Sequence, residues 1–421
     1  MIKLNSTVTD KTNFYGNTDP ASLIKEFGSP LYVYNEAIIR ARAGEMRDLC
    51  SYKNFGVNYS AKANSNIALL QIVCDEGLDG EAMSPGEITA ELMAGFKSEN
   101  ILCISNNISG EEMKFAADRG ITVSVDSLSQ LELFGKVNPG CKVAVRFNTG
   151  VGAGHHAKVV TGGSATKFGV NPELIPEVKD LVNKYNLKLV GINHHIGSLF
   201  MDPAPYLDAA KNLFDAAMSF EGLEFIDLGG GFGVPYKKQS GEERLDLKLL
   251  GAKLDGLIDG FIKNYGSEIV VKVEPGRYIC AESGVLLGTV HTVKYNGPAK
   301  YIGTDIGMSV LLRPAMYDSH HDIEVYRESG STDTEEEDVT VVGNICETGD
   351  IIAKKIRLPK IVEGDILGIQ DAGAYGFVMS SNYNHRLRPA EVLIRKDGSP
   401  ALIRERDTVE DLLKPYKKIT L

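Results

Sequence analysis

No run of this sequence is long and apolar enough to cross a bilayer, and its start, Met1-Ile2-Lys3-Leu4 leading into polar Asn5-Ser6-Thr7, lacks the apolar stretch of a secretory leader. A cytoplasmic location without a membrane partner is therefore expected. Basic residues are outnumbered. The 45 lysines and arginines face 56 aspartates and glutamates, and the net charge of −11 argues against a nucleic-acid or anionic-membrane surface. Cysteine is sparse as well: Cys50, Cys74, Cys103, Cys141, Cys280 and Cys346 are scattered without paired spacings, which fits free thiols in a reducing cytosol better than a disulfide framework or a zinc site. What remains is 43% hydrophobic and 24% charged, an ordinary globular composition. The 421 residues suffice for two domains, or for one barrel of about 250 residues plus a second unit.

The first segment, to about residue 31, is polar apart from a helical stretch around 21–27 and is punctuated by Gly28-Ser29-Pro30; it has the character of a strand lent to another domain. From Tyr32-Val33-Tyr34 onward, strand-like and helical patterns alternate. The apolar runs 57–61, 78–83, 100–105, 121–125, 142–147, 188–194, 224–228 and 269–273 are separated by amphipathic stretches at 67–76, 85–94, 110–119, 128–134, 172–185, 205–220 and 245–265. Eight runs alternating with helices are what a (β/α)₈ barrel of the TIM type requires, with a doubly wound open sheet as the alternative. After Pro275-Gly276 the texture changes: 285–294, 300–306, 339–342, 365–370 and 390–394 are short, β-rich and separated by turns. An α/β chain is expected, with a barrel over 31–277 and an all-β domain built from 278–421 together with 1–30. The acidic stretch 328–338 reads as a solvated loop.

Lys62 stands where the first barrel run ends, in Tyr59-Ser60-Ala61-Lys62-Ala63-Asn64, and capping residues Asn64, Ser65 and Asn66 follow before Ile67-Ala68-Leu69-Leu70. Strand ends of this kind form the catalytic face of a barrel. A lysine among small, apolar neighbours there is partly desolvated, and its free amine can attack a carbonyl, although a strand-end lysine can also simply snorkel to solvent. His194-His195-Ile196-Gly197-Ser198 closes the sixth run, where an imidazole can stack on a flat ring and Ser198 can meet a phosphate, or the histidine can be a core residue near a turn. Asp227-Leu228-Gly229-Gly230-Gly231-Phe232-Gly233 closes the seventh; consecutive glycines let backbone amides approach an anion, and the motif is not a nucleotide P-loop. Val273-Glu274-Pro275-Gly276-Arg277 closes the eighth, with a carboxylate able to keep a pyridinium nitrogen protonated and an arginine able to clamp an anion, or else a Pro-Gly turn with a surface ion pair. Three further stretches lie in the β-rich part: Arg313 to Tyr317, Gly343 to Asp350 with Cys346 and Glu347, and Asp371 to Gly376 with Tyr375.

Singly these motifs are weak, but they occur in one order over almost the whole chain, and together they resemble the alanine racemase-fold decarboxylases that use pyridoxal 5′-phosphate, above all those acting on diaminopimelate. The resemblance implies that Lys62 holds the cofactor through a Schiff base and that His195 stacks on its ring. It further implies that Ser198, Gly230, Gly231, Gly276, Arg277 and Tyr375 surround the phosphate, and that Glu274 pairs with the pyridine nitrogen. Cys346 matches the cysteine that protonates the carbanion, in a turn supplied by the partner subunit of a homodimer whose active sites lie at the interface. Arg277, Arg313 and Tyr317 form a carboxylate-binding set beside Glu347, which can hold an ammonium, and Tyr375 borders the substrate too. Meso-2,6-diaminopimelate, giving L-lysine as the last step of its biosynthesis, is the expected substrate.

Two features stay unassigned: Glu81, where relatives often carry aspartate, and Gly154-His155-His156, whose adjacent histidines lack an acidic partner, so that no metal is expected. A racemase would keep Lys62 but have no use for the Arg313, Tyr317, Cys346 and Glu347 sets. A decarboxylase of carboxynorspermidine, D-ornithine or D-lysine is the nearer alternative. A non-catalytic regulator on this scaffold would typically lose the lysine or the cysteine, and both are present.

Overall fold

The eight apolar runs are the eight strands of a closed parallel barrel, in the order in which they occur along the chain. The computed structural model describes residues 1–5, 8–152, 154, 161–163, 166–328, 330, 332 and 334–419. Barrel strands run over Phe55–Ser60, Asp79–Ala82, Ile101–Ile104, Thr122–Val125, Lys142–Arg146, Lys188–Asn193, Phe225–Asp227 and Val270–Val273. The eighth pairs with both the seventh and the first, Val273 opposite Val57, and this closes the ring. Small residues let the wall close tightly: a side chain at Gly191 on the sixth strand would meet the Phe225 ring on the seventh at 2.2 Å.

Local chemistry starts the helices where the sequence placed them. Asn66 caps Ile67–Asp75 by accepting the Ala68 amide at 3.0 Å, and Ser84 caps Pro85–Ala94, whose proline stands in the first turn where its missing N–H costs nothing. Ser109 and Glu112 form a reciprocal capping box on Gly110–Ala117. Asp246 opens Leu247–Tyr265, and Gly266 in the left-handed region ends it. No helix among the described residues is long and apolar enough to cross a membrane.

The chain divides into two compact units, the barrel unit being Arg40–Val234 with Arg244–Ile279, and the other being Met1–Ile39, Pro235–Glu243 and Cys280–Leu421. A ten-stranded sheet organises the second unit. Its long strand Gly284–Asn296 pairs antiparallel with Ala299–Thr304, Ile366–Ile369 and Leu31–Asn35. Residues 31–39, expected with the barrel, therefore belong to this unit: Leu31–Asn35 is a strand of its sheet, pairing also in parallel with Ala390–Ile394, and the helix Glu36–Arg47 begins after it. Of the segment expected to be a strand lent to another domain, only Ile2–Lys3 pairs in this way, opposite Arg327 and Tyr326, while Val8–Lys11 and Pro20–Phe27 are helices. Three strands are absent from the sequence reading: Ile323–Arg327, Ile351–Pro359 and Pro400–Arg404.

Candidate active site

Four strand ends of the barrel converge on Lys62. The first strand passes into a turn, Ala61–Ala63, which puts Lys62 Nζ in a close ion pair with Glu81 Oε2 from the end of the second strand. Glu81 is fully buried while the lysine side chain keeps 30% of its surface. The residue left unassigned by sequence is therefore the lysine's immediate partner. Ser60, two residues before Lys62, ties this turn to the eighth strand: its Oγ donates to the Glu274 carbonyl at 3.1 Å and its N–H to the Pro275 carbonyl at 3.3 Å. Gly276 makes the approach feasible, because an added Cβ there would lie 2.9 Å from Ala63 Cβ.

Glu274 is buried, and among the described residues no donor reaches its Oε1. Burial, then the charges of Asp227 and Glu81, push its pKa well above the ordinary carboxylate value, against the pull of Lys62. Burial also raises Asp227, which accepts the Gly229 amide at 2.8 Å. The glycine turn is built onto these two strands. Gly229 accepts the Glu274 N–H at 2.9 Å, and Gly230 packs so closely that a Cβ would stand 2.0 Å from the Glu274 carbonyl oxygen. The Gly231 carbonyl takes the Phe200 N–H at 3.0 Å.

His195 sits beside this turn, and the Gly230 N–H donates to its Nδ1 at 3.2 Å. Burial, followed by the charges of Arg146 and Lys62, pulls its pKa well below the usual histidine value. The ring is therefore neutral, with Nδ1 as acceptor and the proton on Nε2. His194 is held at about 3 by burial and by Arg146. Ser198 Oγ accepts from Arg277 Nη2 at 3.0 Å, which joins the ends of the sixth and eighth strands. Lys62, His195, Ser198, Gly230, Gly231, Glu274, Gly276 and Arg277 thus come together at one end of the barrel.

Sequence reasoning missed two residues of this ring. Arg146, at the end of the fifth strand, stacks its guanidinium 4.6 Å from the Phe168 ring centroid and reaches the His195 carbonyl at 3.5 Å. Asp227 was read only as the start of the glycine motif. A lone arginine at a strand end has no neighbouring residues that mark it, and an aspartate heading a glycine turn reads as part of the turn. His155 and His156 lie outside the described residues.

The remaining sequence candidates are in the β-rich unit. Arg313 is 1% exposed at the start of the short helix Arg313–Tyr317, and Tyr317 ends that helix half-buried. Cys346 is exposed, in a turn shaped by buried Asp350, whose carboxylate takes the Ile345 N–H at 2.7 Å and the Met308 N–H at 2.5 Å. Glu347 Oε1 accepts from the Tyr383 hydroxyl. Tyr375 adopts φ +55, and Asp371 at the start of the same loop adopts φ +54.

The barrel end offers a nucleophilic amine, a flat neutral ring, a buried acceptor lacking a donor and a backbone-lined turn beside an arginine. These are the parts needed to hold a phosphorylated pyridine aldehyde. The sequence profile of the pyridoxal-dependent decarboxylase pyridoxal-binding domain matches residues 36–281. A diaminopimelate decarboxylase of Methanothermobacter thermautotrophicus is 42% identical over 417 residues, covering 97% of this chain and 96% of the relative. Among solved structures, a diaminopimelate decarboxylase superposes with a TM-score of 0.88 at 33% identity, covering 98% of this chain and 99% of its own. The Helicobacter pylori diaminopimelate decarboxylase complexed with L-lysine superposes at 0.86 and 29% identity, covering 94% and 98%.

Proposed function

The chain belongs to the pyridoxal-dependent decarboxylases, and from that premise we propose that it converts meso-2,6-diaminopimelate into L-lysine and CO₂ with pyridoxal 5′-phosphate as cofactor. The observation that carries the proposal is the ring of Lys62, Glu81, His195 and Glu274 at one barrel end, in a chain similar along its whole length to diaminopimelate decarboxylases. When bound, pyridoxal phosphate supplies the electron sink for the pair left behind as CO₂ departs.

The chain's own residues do the rest. Lys62 Nζ is the attachment point, held in place by Glu81 Oε2, which is also within reach of its proton. Glu274 offers a buried carboxyl with an unused Oε1, suited to hold a proton at the pyridine nitrogen. His195 presents a neutral ring face for stacking, so it adds no positive charge beside the sink. Ser198, Arg277, Gly276 and the Gly230 and Gly231 backbone, with Tyr375, take the phosphate; the Gly230 amide is already committed to His195, so its part there is to keep the turn close and free of side chain.

Arg277, Arg313 and Tyr317 bind carboxylates of the substrate, with Tyr375 bordering it, and Glu347 meets its distal ammonium. This set selects a substrate with an amino-acid head at both ends over D-ornithine or D-lysine. The Cys346 thiol returns a proton to the carbon that CO₂ has left. Its exposure, on a turn held by Asp350, supports its serving the partner subunit's site in a homodimer. Free thiols at all six cysteines are consistent with a cytoplasmic enzyme.

The test is CO₂ release from meso-diaminopimelate, with LL-diaminopimelate and D-ornithine in parallel, on protein supplied with pyridoxal phosphate. Turnover of the meso isomer alone is expected. Turnover confined to D-ornithine would keep the chemistry and overturn the assignment of Arg277 and Arg313.

A further inference from the structure

Arg313 is a fully buried cation, and two neighbours fix where its guanidinium points. Its Nη1 lies 2.8 Å from His321 Nε2, and its Cζ lies 4.4 Å from the centroid of the Tyr236 ring. Arginine can only donate, so Nε2 is the acceptor. On the other side of the imidazole, Nδ1 lies 2.7 Å from the Gln370 carbonyl oxygen, which can only accept. Nδ1 therefore carries the proton, and His321 is held as one neutral tautomer. Tyr236 meets the same imidazole edge-on, with centroids 5.3 Å apart and planes at 82°. The arrangement is anchored in the sheet: Gln370 directly follows Ile366–Ile369, its N–H donates to the Asp322 carbonyl at 2.9 Å, and Ile369 pairs with Ile323 two residues beyond His321.

A guanidinium recognises a carboxylate through two parallel hydrogen bonds only when its plane is correctly turned. A neutral acceptor on one N–H and an aromatic ring on its face set that plane without themselves bringing a negative charge to it. We infer that His321, together with Tyr236, is a positioning residue that aims Arg313 and so sets the preference for a substrate carrying a distal carboxylate. The inference rests on the assignment of Arg313 to that carboxylate under the proposed function.

The test uses the cofactor-loaded enzyme and three variants. His321→Leu keeps bulk but removes the acceptor, His321→Gln keeps an oxygen able to accept from Arg313, and Tyr236→Leu removes the aromatic face. Each is measured for meso-diaminopimelate kinetics, for equilibrium binding of L-lysine, which retains the distal head group, and for affinity toward pyridoxal phosphate. In His321→Leu, KM and the L-lysine dissociation constant should rise about 10- to 100-fold, the loss of one oriented charge-assisted hydrogen bond, while kcat stays within about threefold. Pyridoxal phosphate affinity should not change, and His321→Gln should recover most of the loss. Tyr236→Leu should show a smaller rise of about 3- to 10-fold, and it carries the test if His321→Leu does not fold. Unaltered L-lysine binding in both Leu variants would overturn the inference. So would a matched fall in kcat and cofactor affinity, since that marks general damage to the unit. Wild-type protein that neither turns over meso-diaminopimelate nor binds L-lysine would remove the substrate assignment, and the inference with it.

Discussion

Replacing Glu274 with glutamine should stabilise the cofactor-free protein and disable the enzyme. Glu274 is 4% exposed, no donor among the described residues reaches its Oε1, and burial with Asp227 and Glu81 nearby holds its pKa well above the ordinary value. A carboxyl raised in the folded state binds a proton there more tightly than in the unfolded chain, where it titrates near ~4.3. Above that pH the folded state carries more protons, so stability falls as pH rises toward the folded value, by up to ~1.4 kcal/mol per pH unit for one group. Asp227 is raised for the same first cause and contributes with the same sign. Glutamine keeps the shape and removes the ionisation, so the variant should melt higher than wild type near neutral pH. Its stability should also depend less on pH between about pH 5 and about pH 8. With cofactor supplied, it lacks the carboxylate suited to hold the pyridine proton, and kcat/KM should fall by about 10²- to 10³-fold, the usual cost of removing one preorganised electrostatic partner. Chemical denaturation of cofactor-free protein across that range, set beside decarboxylation assays, reads both effects. A pH slope identical to wild type, or full activity in the variant, would refute the reasoning.

Cys346→Ala should slow turnover by about 10²- to 10⁴-fold, with pyridoxal phosphate affinity unchanged in a cofactor titration. Mixing that variant with Lys62→Ala under conditions of subunit exchange should restore roughly a quarter of wild-type activity if each site draws its cysteine from the partner, since half the dimers then hold one intact site; no recovery places lysine and cysteine in one subunit. Gly230→Ala drives a methyl group to 2.0 Å from the Glu274 carbonyl oxygen. It should cost about 2–4 kcal/mol of stability and most of the cofactor affinity, measured by denaturation and by titration.

The barrel was legible because each strand is an apolar run bounded by capping residues, as at Val57 to Asn66, and that alternation survives without knowledge of tertiary contacts. Lys62, the glycine turn and the Glu274–Arg277 turn stood out because they break the pattern at strand ends. Other parts carried no such mark. Leu31–Asn35 reads as the first strand of the alternation, and only its pairing with Gly284–Asn296 and Ala390–Ile394 moves it to the sheet. Ile323–Arg327 was hidden by Glu324 and Arg327, whose charges look solvated until Thr9 and Asp365 are seen to meet them in the interior. Ile351–Pro359 was masked by Lys354, Lys355 and Arg357, all of which the structure leaves exposed. Glu81 and Arg146 became site residues only through the closure of the barrel, which places side chains remote in sequence around one lysine.

The central claim is that Lys62 is the residue to which the cofactor is attached. Borohydride treatment of cofactor-loaded protein fixes the cofactor onto whichever amine it has condensed with, and peptide mass mapping then locates it. The added mass should fall on the peptide containing Tyr59-Ser60-Ala61-Lys62-Ala63 and disappear in Lys62→Ala. A modification at another lysine, or none in protein that binds pyridoxal phosphate, would contradict the account.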